Sequence, residues 1–157
     1  MPDLEPPRLV DGPPLLIAGL SQRHNPESMV TAAIPAQWQR FLPHFGKVPG
    51  QVGRKAYGVS YNGDGRGSFD YLCGAEVSDL SKLTPEWNHV SLEPRRYAVF
   101  THRGPISGIQ ATWQAIYKWL PGSGHERARA PDFELYSEDF DARSNSGFVQ
   151  IWIPVKG

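Results

Sequence analysis

Apolar residues recur at two different spacings along this chain, and the alternation between them lays out its elements. The run Leu15 to Leu20 reads as a first strand, and Met29, Ile34, Trp38, Phe41, Leu42 and Phe45 then fall near helical spacing. Pro35 fits the first turn of a helix that begins near Ile34, or kinks a longer one that begins near Glu27. Gly46 to Gly53 is a loop. Tyr57 to Tyr61 and Phe69 to Val77 are strands joined across Asn62 to Gly67, a hairpin loop. On the second of these, Phe69, Tyr71, Cys73, Ala75 and Val77 share one apolar side, while Asp70 and Glu76 mark the other as wetter. Ser78 to Pro94 reads as a connector. Within it Trp87 is either a lid over core or the wall of a site.

The second half follows the same plan. Tyr97 to His102 is a strand that Gly104-Pro105 breaks, and Ile106, Ile109, Trp113, Ile116, Tyr117 and Leu120 form one apolar helical stripe, stopped by Pro121 to Gly124. Strands around Asp132 to Ser137 and Phe148 to Val155 complete the order, with a polar loop, Asp141 to Gly147, between them. Residues 1–12 hold prolines and mixed charges without a period, an irregular lead-in or an edge segment.

Three landmarks make the halves a duplication: Ile17-Ala18 against Tyr97-Ala98, Phe41-Leu42-Pro43 against Trp119-Leu120-Pro121, and Phe69 against Phe148, at offsets of 80, 78 and 79. The near-constant offset carries the inference, since each match alone is trivial. Neither half, about 14–77 or 95–156, can bury its helix stripe and sheet face alone. The expectation is one α+β domain: a tandem β-α-β-β repeat forming one mostly antiparallel sheet, two main helices on one face, and a ligand groove between the halves. The uncovered sheet face is expected to stay wet.

Composition narrows the function. The chain has 157 residues, with 16 basic and 16 acidic side chains, so no basic excess draws it to nucleic acid or anionic lipid. The apolar run near residue 15 is too short to span a bilayer and no basic secretory start precedes it, which reads as a cytoplasmic protein. Cys73, the single cysteine, excludes an internal disulfide and reads as a small core residue. The five histidines show no metal-ligand spacing, the Asn62 to Gly67 loop lacks the later acids of a calcium loop, and it opens no helix for a dinucleotide. Neither a metal nor a cofactor is expected.

One acid stands out. In Phe133-Glu134-Leu135-Tyr136 the side chains alternate, placing Glu134 and Tyr136 on one side of the strand and Phe133 and Leu135 on the other. If that side is enclosed, the carboxylate requires a basic residue, a protonated neighbour or a bound cationic ligand, because an isolated buried charge is costly. The plain alternative is a salt bridge to Arg103, Arg127 or Arg129 on a solvated edge.

Tyr97-Ala98-Val99-Phe100-Thr101-His102-Arg103-Gly104-Pro105, the Thr112-Trp113-Gln114 helix ending in Trp119-Leu120-Pro121, Pro131 to Tyr136 and the closing Ile151-Trp152-Ile153-Pro154-Val155 together carry a resemblance. The chain resembles the GyrI-like small-molecule-binding superfamily, the effector-binding domain of AraC- and MerR-type multidrug regulators, from about Pro14 onward. The resemblance implies a pocket between the halves where a glutamate meets cationic aromatic compounds. Glu134 is the matching acid, with Tyr57, Tyr71, Trp87, Trp113 and Tyr136 as aromatic walls. The regulators carry a helix-turn-helix domain beside this module, and no residues remain for one here. The expected role is therefore a stand-alone binder of hydrophobic, cationic small molecules, by sequestration or as a sensor, like the drug-binding proteins of integron cassettes.

Two alternatives stay open. Some superfamily members hydrolyse strained electrophiles, which would make Glu134 a base and Tyr71 or Tyr136 a proton donor. Alternatively, the module meets a protein partner, gyrase or a DNA-binding regulator. An oligomer is compatible with the sequence.

Overall fold

The computed structural model describes residues 5–29, 33–103, 108–137 and 148–156. The expected loop Asp141 to Gly147, the Gly104-Pro105 break, Ile106 and the first four residues of the lead-in lie outside them. The fold is α+β, and every recorded strand pairing is antiparallel. The chain divides into two compact units, one of residues 14–93 and the other of residues 94–157 together with residues 1–13.

In the unit of residues 14–93, β2 (Leu15–His24), α1 (Ala33–Phe41), β3 (Gln51–Tyr61) and β4 (Phe69–Val77) follow the β-α-β-β order, and β5 (Asn88–Leu92) adds a fourth strand. The strands lie in the order β3-β4-β2-β5. Pro35 falls in the first turn of α1, where its missing N–H costs no helical bond; Met29 belongs to a separate 3-10 turn, Pro26–Met29. One face of α1 buries Gln37 and Phe41 and packs Ile34 and Trp38 on Ala18, Tyr71, Cys73 and Ala75 of the sheet. The paired glycines Gly19 and Gly74 bring β2 and β4 together so closely that a Cβ on Gly74 would stand 2.4 Å from the Ala18 carbonyl oxygen.

The other unit repeats the plan. β6 (Arg95–His102), α2 (Ile109–Trp119), β7 (Asp132–Tyr136) and β8 (Val149–Pro154) form its β-α-β-β motif, and β1 (Arg8–Gly12) supplies the fourth strand. The order β7-β8-β6-β1 matches β3-β4-β2-β5 strand for strand. Ile116 of α2 is fully buried against Ala98, Phe100, Ile151 and Ile153, with Ile109, Trp113 and Trp119 around them.

Two expectations need correction and a third is decided. The supposed connector contains β5, which pairs with β2 through Val90 opposite Ile17 and Leu92 opposite Leu15. Of the two readings of the lead-in, the edge segment is the one observed: β1 lies at a sheet edge, held by its register with β6. The sheet faces turned away from the helices are wet only in part: Ile17, Val59 and Leu72 are buried in one unit, beside the half-buried Asp70 and Glu76, and Tyr97, Val99 and Phe133 are buried in the other. In the latter, Tyr97, Phe133 and Trp152 set their ring centroids 5.2 to 5.5 Å apart, and such a cluster excludes water from that side.

Candidate functional site

Two acids on β7 point to the helix side, and the structure gives them different company. Asp132, buried, accepts a hydrogen bond from Arg127 Nη2 at 2.7 Å in a salt bridge. Glu134, two residues on, is only 8 % exposed. Its Oε2 accepts from Trp113 Nε1 at 2.8 Å and its Oε1 from the Tyr136 hydroxyl at 3.1 Å. Both of these donors are neutral groups.

The local sequence explains this geometry. Strand alternation puts Glu134 and Tyr136 on one side, as expected, so the phenol reaches back along its own strand. Register sets Glu134 beside Ile151 and thus over the face that α2 covers. Thr112 and Ile116 anchor α2 to that face, which brings the Trp113 indole over β7. Of the expected salt-bridge partners, Arg103 is held by Glu5 at 3.0 Å on an exposed edge, and Arg127 by Asp132.

Glu134, Trp113 and Tyr136 are thus brought together within one unit. The remaining expected wall residues belong to the other unit. There Tyr71 is buried on the helix side of β4, and its hydroxyl accepts from Trp38 Nε1 at 3.1 Å. Trp87 packs over the same apolar cluster and meets His44 edge to face at 5.6 Å. Tyr57 lies on the opposite side of the sheet from Tyr71, in register with Gly74 and hence Gly19. Burial, with Glu76 adding its charge, pushes the Tyr57 phenol up to about 12.

Four helix side chains make polar contacts that the periodicity does not signal, and they correspond in pairs. The Gln37 amide nitrogen donates to the carbonyls of Leu20 and Tyr71, at 3.0 and 2.7 Å. Its oxygen therefore accepts from His24 Nε2 at 2.6 Å. The next residue, Trp38, donates its indole N–H to Tyr71. In the other unit Thr112 bonds His102 Nδ1 at 2.7 Å, and the next residue, Trp113, donates to Glu134. Each unit thus fastens its helix to a histidine at the end of its first strand and aims the following tryptophan at an oxygen on the sheet. One unit offers a phenol there and the other a carboxylate. A signal was present in the chain: His102 stands 78 positions after His24, the offset of the two Leu-Pro helix ends.

The exposed Tyr117 also departs from expectation. The apolar stripe of α2 includes it, yet it is 52 % exposed and stacks on Trp113 one turn away.

Comparison with known proteins agrees with this architecture. The family model described as the GyrI-like small molecule binding domain matches residues 5–156. The transcriptional regulator BrlR of Pseudomonas aeruginosa is 30% identical over 121 residues, which is 75% of this chain and 44% of BrlR. The chain therefore spans less than half the length of that curated relative. Among solved structures, the integron cassette protein VCH_CASS2 of Vibrio cholerae superposes with a TM-score of 0.73 at 20% identity, covering 98% of this chain and 97% of that one. SAV2435, solved bound to tetraphenylphosphonium, gives a TM-score of 0.76 at 20% identity, covering 96% and 94% respectively. At such identities the structural likeness establishes the fold alone.

Proposed function

As the chain belongs to the GyrI-like small-molecule-binding domain family, we propose that it binds hydrophobic organic cations beside Glu134 and acts in the cytoplasm by sensing or sequestering them. The observation that carries this reading is a carboxylate only 8 % exposed and framed by an indole and a phenol. A flat, weakly hydrated cation gains twice from such a frame. Each ring face attracts it by about 0.5–2 kcal/mol. A charge centre about 5 Å from the carboxylate, at an effective dielectric near 20, adds about 3 kcal/mol.

Two likenesses support the cationic class and the sensing role without extending to them: SAV2435 was solved with an aryl phosphonium, and BrlR is a transcriptional regulator. The same reading allows a sensing module to pass its state to a DNA-binding partner.

Titration calorimetry with tetraphenylphosphonium and with neutral triphenylphosphine oxide tests the charge. Glu134→Gln should weaken the cation roughly a hundredfold, the equivalent of about 3 kcal/mol, and the neutral compound by less than about threefold. Equal losses for the two ligands would show that shape, not charge, governs binding.

A further inference from the structure

Tyr117 is the most exposed large hydrophobic side chain among the described residues, although helical periodicity counts it with the core stripe of α2. A single exposed ring on a helix is ordinary. Two observations separate this one from the ordinary case. Its ring lies offset-stacked on Trp113, centroids 6.0 Å apart and planes 28° from parallel. Trp113 is the residue whose indole binds the Glu134 carboxylate. Burial and the nearby charge of Asp132 push the Tyr117 phenol up to about 12, with Arg127 opposing them. About half of the side chain nevertheless stays open to solvent.

The arrangement is a stepped aromatic ledge: buried carboxylate, half-buried indole, exposed phenol ring. Charge is recognised at its inner end, and only shape and polarisability at its outer end. We propose that Tyr117 is a specificity-determining residue, the outer plate of the Glu134 site, which selects cations bearing flat aryl groups over alkyl cations of the same charge. This rests on the cation-binding reading of Glu134. The ring supplies the selection, so phenylalanine can replace tyrosine and aliphatic side chains cannot. An alkyl cation keeps the attraction to the carboxylate but has no π face to stack on the exposed plate.

The test compares tetraphenylphosphonium with tetrabutylphosphonium on the full chain by titration calorimetry, with circular dichroism to check folding. Tyr117→Ala should weaken the aryl cation at least tenfold and the alkyl cation less than threefold, and Tyr117→Phe should match the unaltered protein on both. Tyr117→Leu, which keeps apolar bulk without a ring, should behave as Tyr117→Ala and serves in its place if that variant fails to fold. Equal loss of both cations, no loss of either, or a Tyr117→Phe as weak as Tyr117→Leu overturns the assignment while leaving Glu134 as the binding acid. An unaltered protein that binds neither phosphonium removes the cation reading and this selection with it.

Discussion

The hydrogen bond from Trp113 to Glu134 can be weighed by a double-mutant cycle. Trp113→Phe keeps an aromatic ring on α2 and removes the indole N–H that reaches Oε2 at 2.8 Å. Glu134→Leu keeps similar bulk on β7 but removes the acceptor, leaving the Trp113 and Tyr136 donors without their shared partner. A buried donor so stranded costs about 1–3 kcal/mol, and a hydrogen bond to a charged group contributes about 1.5–3 kcal/mol. The double variant removes both ends of the indole-to-carboxylate bond. It should therefore be less damaged than the sum of the single variants, with a coupling of about 1.5–3 kcal/mol. In urea, where a chain of this size loses roughly 2 kcal/mol per molar, that coupling displaces the midpoint by roughly 1 M. Additivity within about 0.5 kcal/mol would mean that the two residues merely lie near each other. The carboxylate would then not be organised by the indole, and the basis of the proposed site would be lost.

Two further outcomes follow from the unit of residues 14–93. Gly74→Ala must push its new methyl against the Ala18 carbonyl, 2.4 Å away, and backbone cannot yield as a side-chain tip does. It should cost about 1–3 kcal/mol and lower the melting temperature by roughly 3–10 °C, and an unchanged melt would contradict the close approach. Tyr57 titrates at about 12 in the fold against 10.0 normally, chiefly because burial disfavours the phenolate. The folded state therefore holds this proton longer than the unfolded one. Its contribution is complete below pH 10 and is lost as pH rises from 10 toward 12, up to about 3 kcal/mol across the window. Tyr57→Phe should lose stability less steeply over that interval in urea melts, and a slope as steep as that of the unaltered protein would refute the assignment.

The features legible in the sequence were those with a strong period. Alternation in Phe133 to Tyr136 placed Glu134 and Tyr136 together without any knowledge of β8, and three- and four-residue spacing placed Trp113 and Ile116 on the inner stripe of α2. What failed had no local signature. β5 shows only Val90 and Leu92 as apolar positions among polar neighbours, so the strand exists through its pairing with β2. β1, the edge segment that the sequence allowed, likewise depends on its pairing with β6. Tyr57 was grouped with Tyr71 although they occupy opposite faces, because which side of β3 meets α1 is fixed by its register with β4 and not by its own alternation. Tyr117 shows the converse error: periodicity gave its angle around the helix correctly, but not how far the cover over that angle extends. The indole-to-carboxylate bond joins residues 21 positions apart, and no window along the chain contains that information.

The duplicated motif and the physical unit do not share a boundary. β6 takes its outer neighbour from the first dozen residues of the chain, more than eighty positions upstream of it, so the later repeat is complete only with a segment that precedes the earlier one. Severing the gene midway would leave the downstream fragment with the backbone amides and carbonyls of β6 bare along one side, an invitation to stick to any extended peptide. A joined order that moves residues 1–13 next to residue 94 would heal that border. Shuffling between relatives, in the laboratory or in evolution, therefore has to carry the leader strand with the far half of the protein instead of the half it adjoins.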